Sequence, residues 1–188
     1  MTIDNRSQRV VVAAVYAIAM FMAVLDTTIV TVALPAIARD FHVSAVAAGT
    51  VPIAYLVALT VFIPVSGWLG DRIGGTRALL GAIALFTLGS ALCAAATSLP
   101  LLIGFSALQG IGGAIMLPVG LAMLFRVYPP ADRVRLSSTL ALVTAMGPAL
   151  GPILGGLFTT YATWRLVFLV NVPVGLAALA WGLLRLDS

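Results

Sequence analysis

The chain has 188 residues, of which 62% are apolar and 9% are charged, whereas soluble domains are about 45–50% apolar and about 25% charged. Together with a mean hydropathy of +1.15, this composition excludes a water-soluble globular protein, a disordered chain and a nucleic-acid-binding domain. The net charge of +4 comes from arginines and aspartates that stand between long uncharged segments. We therefore expect a multi-pass membrane protein whose charges set its orientation in the bilayer.

Six segments are long and apolar enough to form membrane-spanning helices, each of which needs about 20 residues. Charged residues, prolines and a Thr-Ser-Leu-Pro break separate these segments. The predicted fold is an all-α bundle of six transmembrane helices that occupies residues 10–186. The predicted spans, numbered 1 to 6, are 10–34, 45–66, 78–96, 100–124, 136–160 and 165–184.

The distribution of arginines predicts which ends of the spans face the cytoplasm. If residues 1–9 form a cytoplasmic segment, eight arginines lie on the cytoplasmic side, and only Arg39 and Arg165 lie outside. Positive residues are enriched in cytoplasmic segments of membrane proteins. Both termini are therefore predicted to be cytoplasmic, in a protein of the cell membrane.

Span 1 carries one charged residue, Asp26, with Thr27 and Thr31 beside it. A charged side chain at the centre of a spanning helix costs about 2.5–3.5 kcal/mol on insertion scales, so it should face the bundle interior or an aqueous cavity. One interpretation is a proton or cation site, since a buried carboxyl group can bind and release a proton. The other is a structural side chain that hydrogen-bonds a neighbouring helix.

The connection between spans 2 and 3 is short and rich in glycine and charge. It contains Gly67, Asp71, Arg72, Gly74 and Arg77, and adjacent glycines permit a tight turn. One hypothesis is a charge cluster that holds one conformation on the cytoplasmic side. The alternative is a solvated turn that only anchors the topology.

Span 5 carries small residues at steps of four, namely Gly147, Gly151 and Gly155, with Pro148 and Pro152 on the adjacent face. Small residues at this spacing let two helices pack closely, and each proline removes one backbone donor. A kinked helix with a flat face suits a moving interface and also a static one.

Four segments together resemble the major facilitator superfamily, and most of all its drug:proton antiporters with fourteen helices. They cover nearly the whole chain in the expected order. They are Leu25 to Pro35, the Gly67-x-Leu69-x-Asp71-Arg72-x-Gly74 connection, the repeated Gly-Pro pairs from Gly147 to Gly156, and the signature Trp164-Arg165-x-x-Phe168-x-x-Asn171-x-Pro173 that opens span 6.

This resemblance implies a role for each segment. Asp26, Thr27, Thr31 and Gln109 would take part in proton coupling or line a substrate cavity, and the connection between spans 2 and 3 would control an inward-facing gate. The Gly-Pro pairs would shape the interface of span 5 between two halves of a transporter. The implied partners are the lipid bilayer, protons and a small-molecule substrate, with no cofactor, no metal and no nucleic acid.

The sequence departs from the family pattern at several positions. Ser106 stands where the family has an arginine that is tied to proton transfer, Thr31 replaces a usual asparagine, and Gly75 and Thr76 replace basic residues. The chain resembles only the N-terminal half of such a transporter. We therefore expect it to need a C-terminal half or a second chain, and the span 5 glycines to face lipid or that second copy.

The main prediction is the N-terminal half of a proton-coupled efflux antiporter for small, drug-like compounds. A six-helix channel or facilitator is an alternative, although the sequence shows no polar filter. An intramembrane enzyme would need a nucleophile and a base at membrane depth, and the single histidine, His42, lies at the edge of span 2. An inactive truncation product is the remaining alternative.

Overall fold

The computed structural model describes residues 5–186, so residues 1–4 of the predicted cytoplasmic segment 1–9 and the last two residues lie outside it. The described chain is almost entirely helical, which confirms the predicted all-α fold. The helices are α1 (Asn5–Asp40), α2 (Ala45–Ala48), α3 (Thr50–Ile73), α4 (Gly75–Ala94), α5 (Leu99–Val127), α6 (Pro130–Tyr161), α7 (Leu166–Leu169) and α8 (Asn171–Arg185).

Six helical segments of the described chain are long and apolar enough to cross a membrane. Helices α2 and α3 together form the second, Ala45–Ile73, and α7 and α8 together form the sixth, Leu166–Arg185. Ser44 begins the second segment as an N-cap, because its side chain accepts a hydrogen bond from the Ala47 amide at 3.1 Å. The prediction of six apolar helices is confirmed.

Helix α1 continues beyond the predicted end at Leu34 and passes through Pro35 to Asp40. Its end is set by His42, which has a φ of 55°. The Val43 amide donates to the Ala38 carbonyl at 3.0 Å, and the His42 amide donates to the Arg39 carbonyl at 3.3 Å. This pair of bonds is a Schellman motif, so His42 has a structural role in ending the helix.

Helix α3 also exceeds its predicted end at Ser66 and includes most of the glycine-rich connection. It ends at Gly74, whose φ of 89° and ψ of 144° are readily adopted only by glycine. Helix α4 then begins at Gly75. The predicted charged loop is therefore a single glycine between two helices, and Gly67, Asp71 and Arg72 lie on the last turns of α3.

Two apolar clusters fill the bundle, one towards each end. The first contains Tyr16 and Phe86, and the second contains Ile37 and Phe168. Between them, four buried polar residues, here called the polar layer, lie on four different helices. The polar layer consists of Asp26 on α1, Ser90 on α4, Gln109 on α5 and Asn171 on α8.

The small-residue strip of α6 packs against α1. A Cβ atom at Gly147 would overlap Val24, and one at Gly151 would overlap Thr28. The Thr28 hydroxyl also donates to the Gly147 carbonyl at 3.2 Å. The expectation that these glycines face lipid or a second copy is therefore wrong, because α1 of the same chain already covers them.

The two remaining glycines of the repeated Gly-Pro segment, Gly155 and Gly156, differ in their contacts with α1. A Cβ atom at Gly155 would lie 3.1 Å from the Val32 Cβ, whereas one at Gly156 would meet nothing within 4 Å. Contact with α1 is thus confined to the face that carries every fourth residue, as expected for small residues on one side of a helix.

Candidate functional site

Asp26 is the centre of the polar layer and is only 3% exposed. The side-chain amides of Gln109 and Asn171 each donate to its Oδ1 atom at 2.8 Å. Hydrogen bonds to an ionised carboxylate are stronger than those between neutral groups. Three helices therefore meet at one carboxylate oxygen, and both donors are neutral amides.

Ser90 holds these two amides in place. Its hydroxyl oxygen accepts from the Asn171 Nδ2 at 3.2 Å and from the Gln109 Nε2 at 3.4 Å. Its own proton is donated to the Phe168 carbonyl at 2.8 Å. The Cys93 thiol contacts the Gln109 Oε1 at 3.8 Å, so both ends of that amide have partners.

A cavity of about 100 Å³ adjoins the carboxyl group between α1, α3 and α5. Asp26, Thr27, Thr31, Tyr55 and Ser106 supply its polar lining. The structure thus brings three of the predicted cavity residues together. Gln109, for which the prediction is a role in proton coupling or a place in the cavity wall, does not line this cavity and donates to the Asp26 Oδ1.

Three polar residues of this site were not predicted to belong to it. Asn171 was assigned only to the span 6 signature, and Ser90 and Tyr55 were not singled out. Each lies within an otherwise apolar span, where polar residues are rare and face the bundle interior. That rule could have identified them as candidates, but it could not have paired them with Asp26.

The Gly67 to Arg77 segment forms a second candidate site at one end of the bundle. The Arg126 Nη2 lies 3.7 Å from the Asp71 Oδ1, and most of each side chain is exposed. Such exposed ion pairs contribute about 0.2–1 kcal/mol to folding stability. The Arg72 guanidinium lies 5.1 Å from the centre of the Trp68 ring. Gly67 and Asp71 of α3, together with residues of α5, line a cavity of about 280 Å³.

The predicted signature residues Trp164 and Arg165 lie at the other end of the bundle. The Trp164 Nε1 and the Arg165 Nη1 donate to the Asp40 Oδ2 at 2.9 and 3.0 Å. Arg165 also donates to the Ala96 carbonyl at 3.2 Å and lies 4.4 Å from the centre of the Trp164 ring. These contacts connect the end of α1, the α4–α5 loop and the start of α7. Pro173, another predicted signature residue, does not belong to this group and is exposed on α8.

Replacing Arg165 with glutamine should lower the stability of the bundle by about 1 kcal/mol, because an ion pair and a contact with an aromatic ring are both lost. The measurement is thermal unfolding of the purified chain in detergent. Arg39→Gln is the control, since Arg39 is an exposed arginine near the same end. Equal unfolding temperatures for the two variants would show that the contacts of Arg165 contribute nothing.

Comparison with known proteins supports one family. A family model described as Major Facilitator Superfamily matches residues 16–188. The multidrug resistance protein MdtD of Cronobacter sakazakii is 42% identical over 166 residues, which are 88% of this chain and 35% of the relative. The protein of the same name from Salmonella typhi is 42% identical over 162 residues, which are 86% of this chain and 34% of the relative.

The chain therefore spans about a third of the length of these curated relatives. A solved structure of the proton:xylose symporter XylE, bound to 6-bromo-6-deoxy-D-glucose, superposes with a TM-score of 0.80. At 16% identity, the match covers 96% of this chain and 45% of that chain and shows a shared fold. The chain belongs to the major facilitator superfamily, whose members are membrane transporters and not enzymes.

Proposed function

We propose that the chain forms the N-terminal six-helix bundle of a proton-coupled antiporter that exports small, drug-like compounds. The observation that carries this proposal is the buried Asp26 carboxyl group, which borders a cavity and is held by two neutral amides. The names of the relatives, which refer to multidrug resistance, support the same class of substrate.

The environment of Asp26 suits exchange between a proton and a substrate. A buried carboxylate is costly unless it is paired with a positive charge, and only neutral amides donate to it among the described residues. It is therefore most stable when it binds either a proton or a cationic group. If the two compete for the same carboxylate, binding of one releases the other, which is the requirement for antiport.

A working transporter of this kind would need a second bundle. Many secondary transporters rock two halves around a site near the middle of the membrane. This chain covers only about a third of the length of each of its curated relatives. The cavity beside Asp26 would then be one wall of the substrate site. The C-terminal half or a second chain would supply the opposite wall.

Two other predicted segments have roles in this proposal. Asp71, Arg72, Gly74 and Arg77 would control a cytoplasmic gate, beside the cavity of about 280 Å³ that α3 and α5 line. The segment from Gly147 to Gly156, with Pro148 and Pro152, would be a sliding surface between α6 and α1. Its glycines permit the close contact, and its prolines weaken the hydrogen bonding of α6.

The proposed orientation places residue 73 in the cytoplasm and residue 97 outside the cell membrane, because eight of the ten arginines then face inwards. Ile73→Cys and Thr97→Cys test it, since both residues are exposed. In a Cys93→Ser background, an impermeant thiol reagent added to intact cells should label residue 97 only. Labelling of residue 73 under these conditions would contradict the orientation.

The decisive test of function uses a transporter that contains this bundle, reconstituted in vesicles with an imposed pH gradient. We expect protons to move down their gradient and a fluorescent drug to move across the membrane in the opposite direction. A protonophore should abolish both movements. Drug movement that persists without the gradient and carries no protons would contradict antiport.

A further inference from the structure

The segment that contains the span 6 signature, residues 164–173 and here called the connector, joins the polar layer to one end of the bundle. At that end, the Trp164 Nε1 donates to the Asp40 Oδ2 at 2.9 Å. In the polar layer, the Asn171 Nδ2 donates to the Asp26 Oδ1 at 2.8 Å. The short helix α7 lies between these two contacts, so one short stretch of chain touches both sites.

In the polar layer, the connector is fixed by a closed set of hydrogen bonds. Asn171, the first residue of α8, donates to Asp26 and also to the Ser90 hydroxyl oxygen at 3.2 Å. Ser90 in turn donates to the carbonyl of Phe168 in α7 at 2.8 Å. Asp26 therefore holds the start of α8 directly and the end of α7 through Asn171 and Ser90.

At the end of the bundle, α7 is joined to its neighbours by aromatic rings and by a guanidinium group. The Trp164 ring makes edge contacts with Phe41 and Phe168, with ring centres 5.5 and 6.1 Å apart. The Arg165 Nη2 donates to the Ala96 carbonyl in the α4–α5 loop at 3.2 Å. Since Trp164 and Phe168 are buried, a displacement of α7 would also disturb these contacts.

The connector bends at the junction between α7 and α8. The helix is interrupted at Val170, and Pro173 has no amide hydrogen. The Leu169 carbonyl therefore lacks its helical partner four residues further along the chain. Because backbone hydrogen bonding is incomplete here, the position of α7 relative to α8 depends on the side-chain contacts on each side of the junction.

Asp26 is the group in this region whose charge can change. Its titratable neighbours among the described residues are Tyr55 in the cavity wall and Cys93 beside the Gln109 amide, and a phenol and a thiol are uncharged at neutral pH. Every other charged residue of the described helices lies near an end of its helix. Hydrogen bonds to an ionised carboxylate are roughly twice as strong as those between neutral groups, so neutralising Asp26 weakens its hold on Asn171.

We infer that the connector transmits the charge state of Asp26 to the end of the bundle that carries Asp40 and the α4–α5 loop. This role rests on the proposed function and adds a means of regulation to it. While the carboxyl group is ionised, Asn171 is held firmly and α7 stays in contact with its neighbours. When a proton neutralises the carboxyl group, α7 separates from them more often. In the proposed orientation that end faces outside, so the exit side of the transporter would respond to proton binding.

The test is hydrogen–deuterium exchange of backbone amides, measured by mass spectrometry on the purified chain in detergent at one fixed pH. Asp26→Asn represents the permanently neutral state. We expect the amides of residues 165–170 to exchange about fivefold faster in this variant, the difference between a hydrogen bond to a charged group and one to a neutral group. Amides of residues 72–78, at the opposite end of the bundle, should exchange at an unchanged rate. Asp132→Asn, the same chemical change at an exposed aspartate, should alter neither rate.

A second comparison tests whether the effect passes through Asn171. Asn171→Leu removes the amide donor and keeps a side chain of similar volume. In this background, Asp26→Asn should cause no further acceleration of the connector amides. Gln109→Leu is the matched control, because it removes the other amide that donates to the same oxygen, and Asp26→Asn should still accelerate exchange there. Thermal unfolding reports whether each variant folds, and the first comparison remains decisive if Asn171→Leu does not.

Unchanged exchange of the connector in Asp26→Asn would overturn the inference, and so would equal acceleration at residues 72–78, which would indicate general loosening of the bundle. An effect of the same size in the Asn171→Leu background would also overturn it. No proton gradient is used, so the outcome is independent of the antiport test. Antiport without the exchange difference would overturn only the role of the connector. The exchange difference without proton-coupled transport would support that role and contradict the antiport mechanism.

Discussion

Replacing Asp26 with asparagine is expected to abolish proton-driven transport by a transporter that contains this bundle, and to leave the bundle folded. Asparagine has nearly the same shape and keeps an oxygen that can accept from Gln109 and Asn171, which donate at 2.8 Å in the structure. The amide of asparagine cannot bind or release a proton near neutral pH. Drug movement driven by a pH gradient in vesicles should therefore fall to the level of vesicles without protein.

The control is Asp132→Asn, which makes the same chemical change at an exposed aspartate in the first turn of α6. Its transport should be unchanged. Thermal unfolding of all three proteins would show whether the bundle still folds. Normal proton coupling in Asp26→Asn would mean that the carboxyl group is structural, which is the other interpretation of this residue, or that coupling takes place elsewhere in the transporter.

The sequence was most informative where one residue alone violated the apolar pattern. Asp26 was recognised as an interior residue because a charge within a spanning helix must be compensated, and the structure buries it. The six spans could likewise be predicted, because length and hydropathy are properties of continuous segments. Neither conclusion required knowledge of which helices are neighbours.

Predictions failed where the outcome depended on pairs of helices. Asn171 donates to Asp26, which lies 145 positions earlier in the sequence, and no local sequence pattern indicates such a partner. The α6 glycines were correctly read as a close-packing face, but the helix that covers them is α1. The periodicity of one helix predicts that it has a flat face, and it does not identify the helix on the other side.

Helix ends were missed for a different reason. The predicted span 1 stops at Leu34, just before Pro35, but a proline removes only one hydrogen bond of a long helix, and α1 continues to Asp40 and is ended by His42 in a left-handed conformation. Glycine is the usual residue at that position of a Schellman motif, so a histidine gave no signal. At Gly74, where glycine does occupy the positive φ, the sequence had correctly indicated a turn.

Replacing Gly112 with alanine is expected to destabilise the bundle by about 1–3 kcal/mol, the usual cost of overpacking a core. A Cβ atom at this position of α5 would lie 2.6 Å from the Phe86 nitrogen and 3.0 Å from the Ala82 oxygen. Both are backbone atoms of α4, which cannot rotate away as the end of a side chain can. Helix α4 would therefore have to move away from α5.

Gly104→Ala on the same helix is the matched control, because a Cβ atom there meets nothing within 4 Å. Alanine has the higher helix propensity, so this variant should be as stable as the original chain or slightly more stable. The measurement is unfolding of both variants in detergent. Gln109 is one turn from Gly112, so separation of α4 from α5 would also pull Ser90 away from the amide that holds Asp26. Equal stability of the two variants would show that α4 and α5 do not pack as closely as the structure places them.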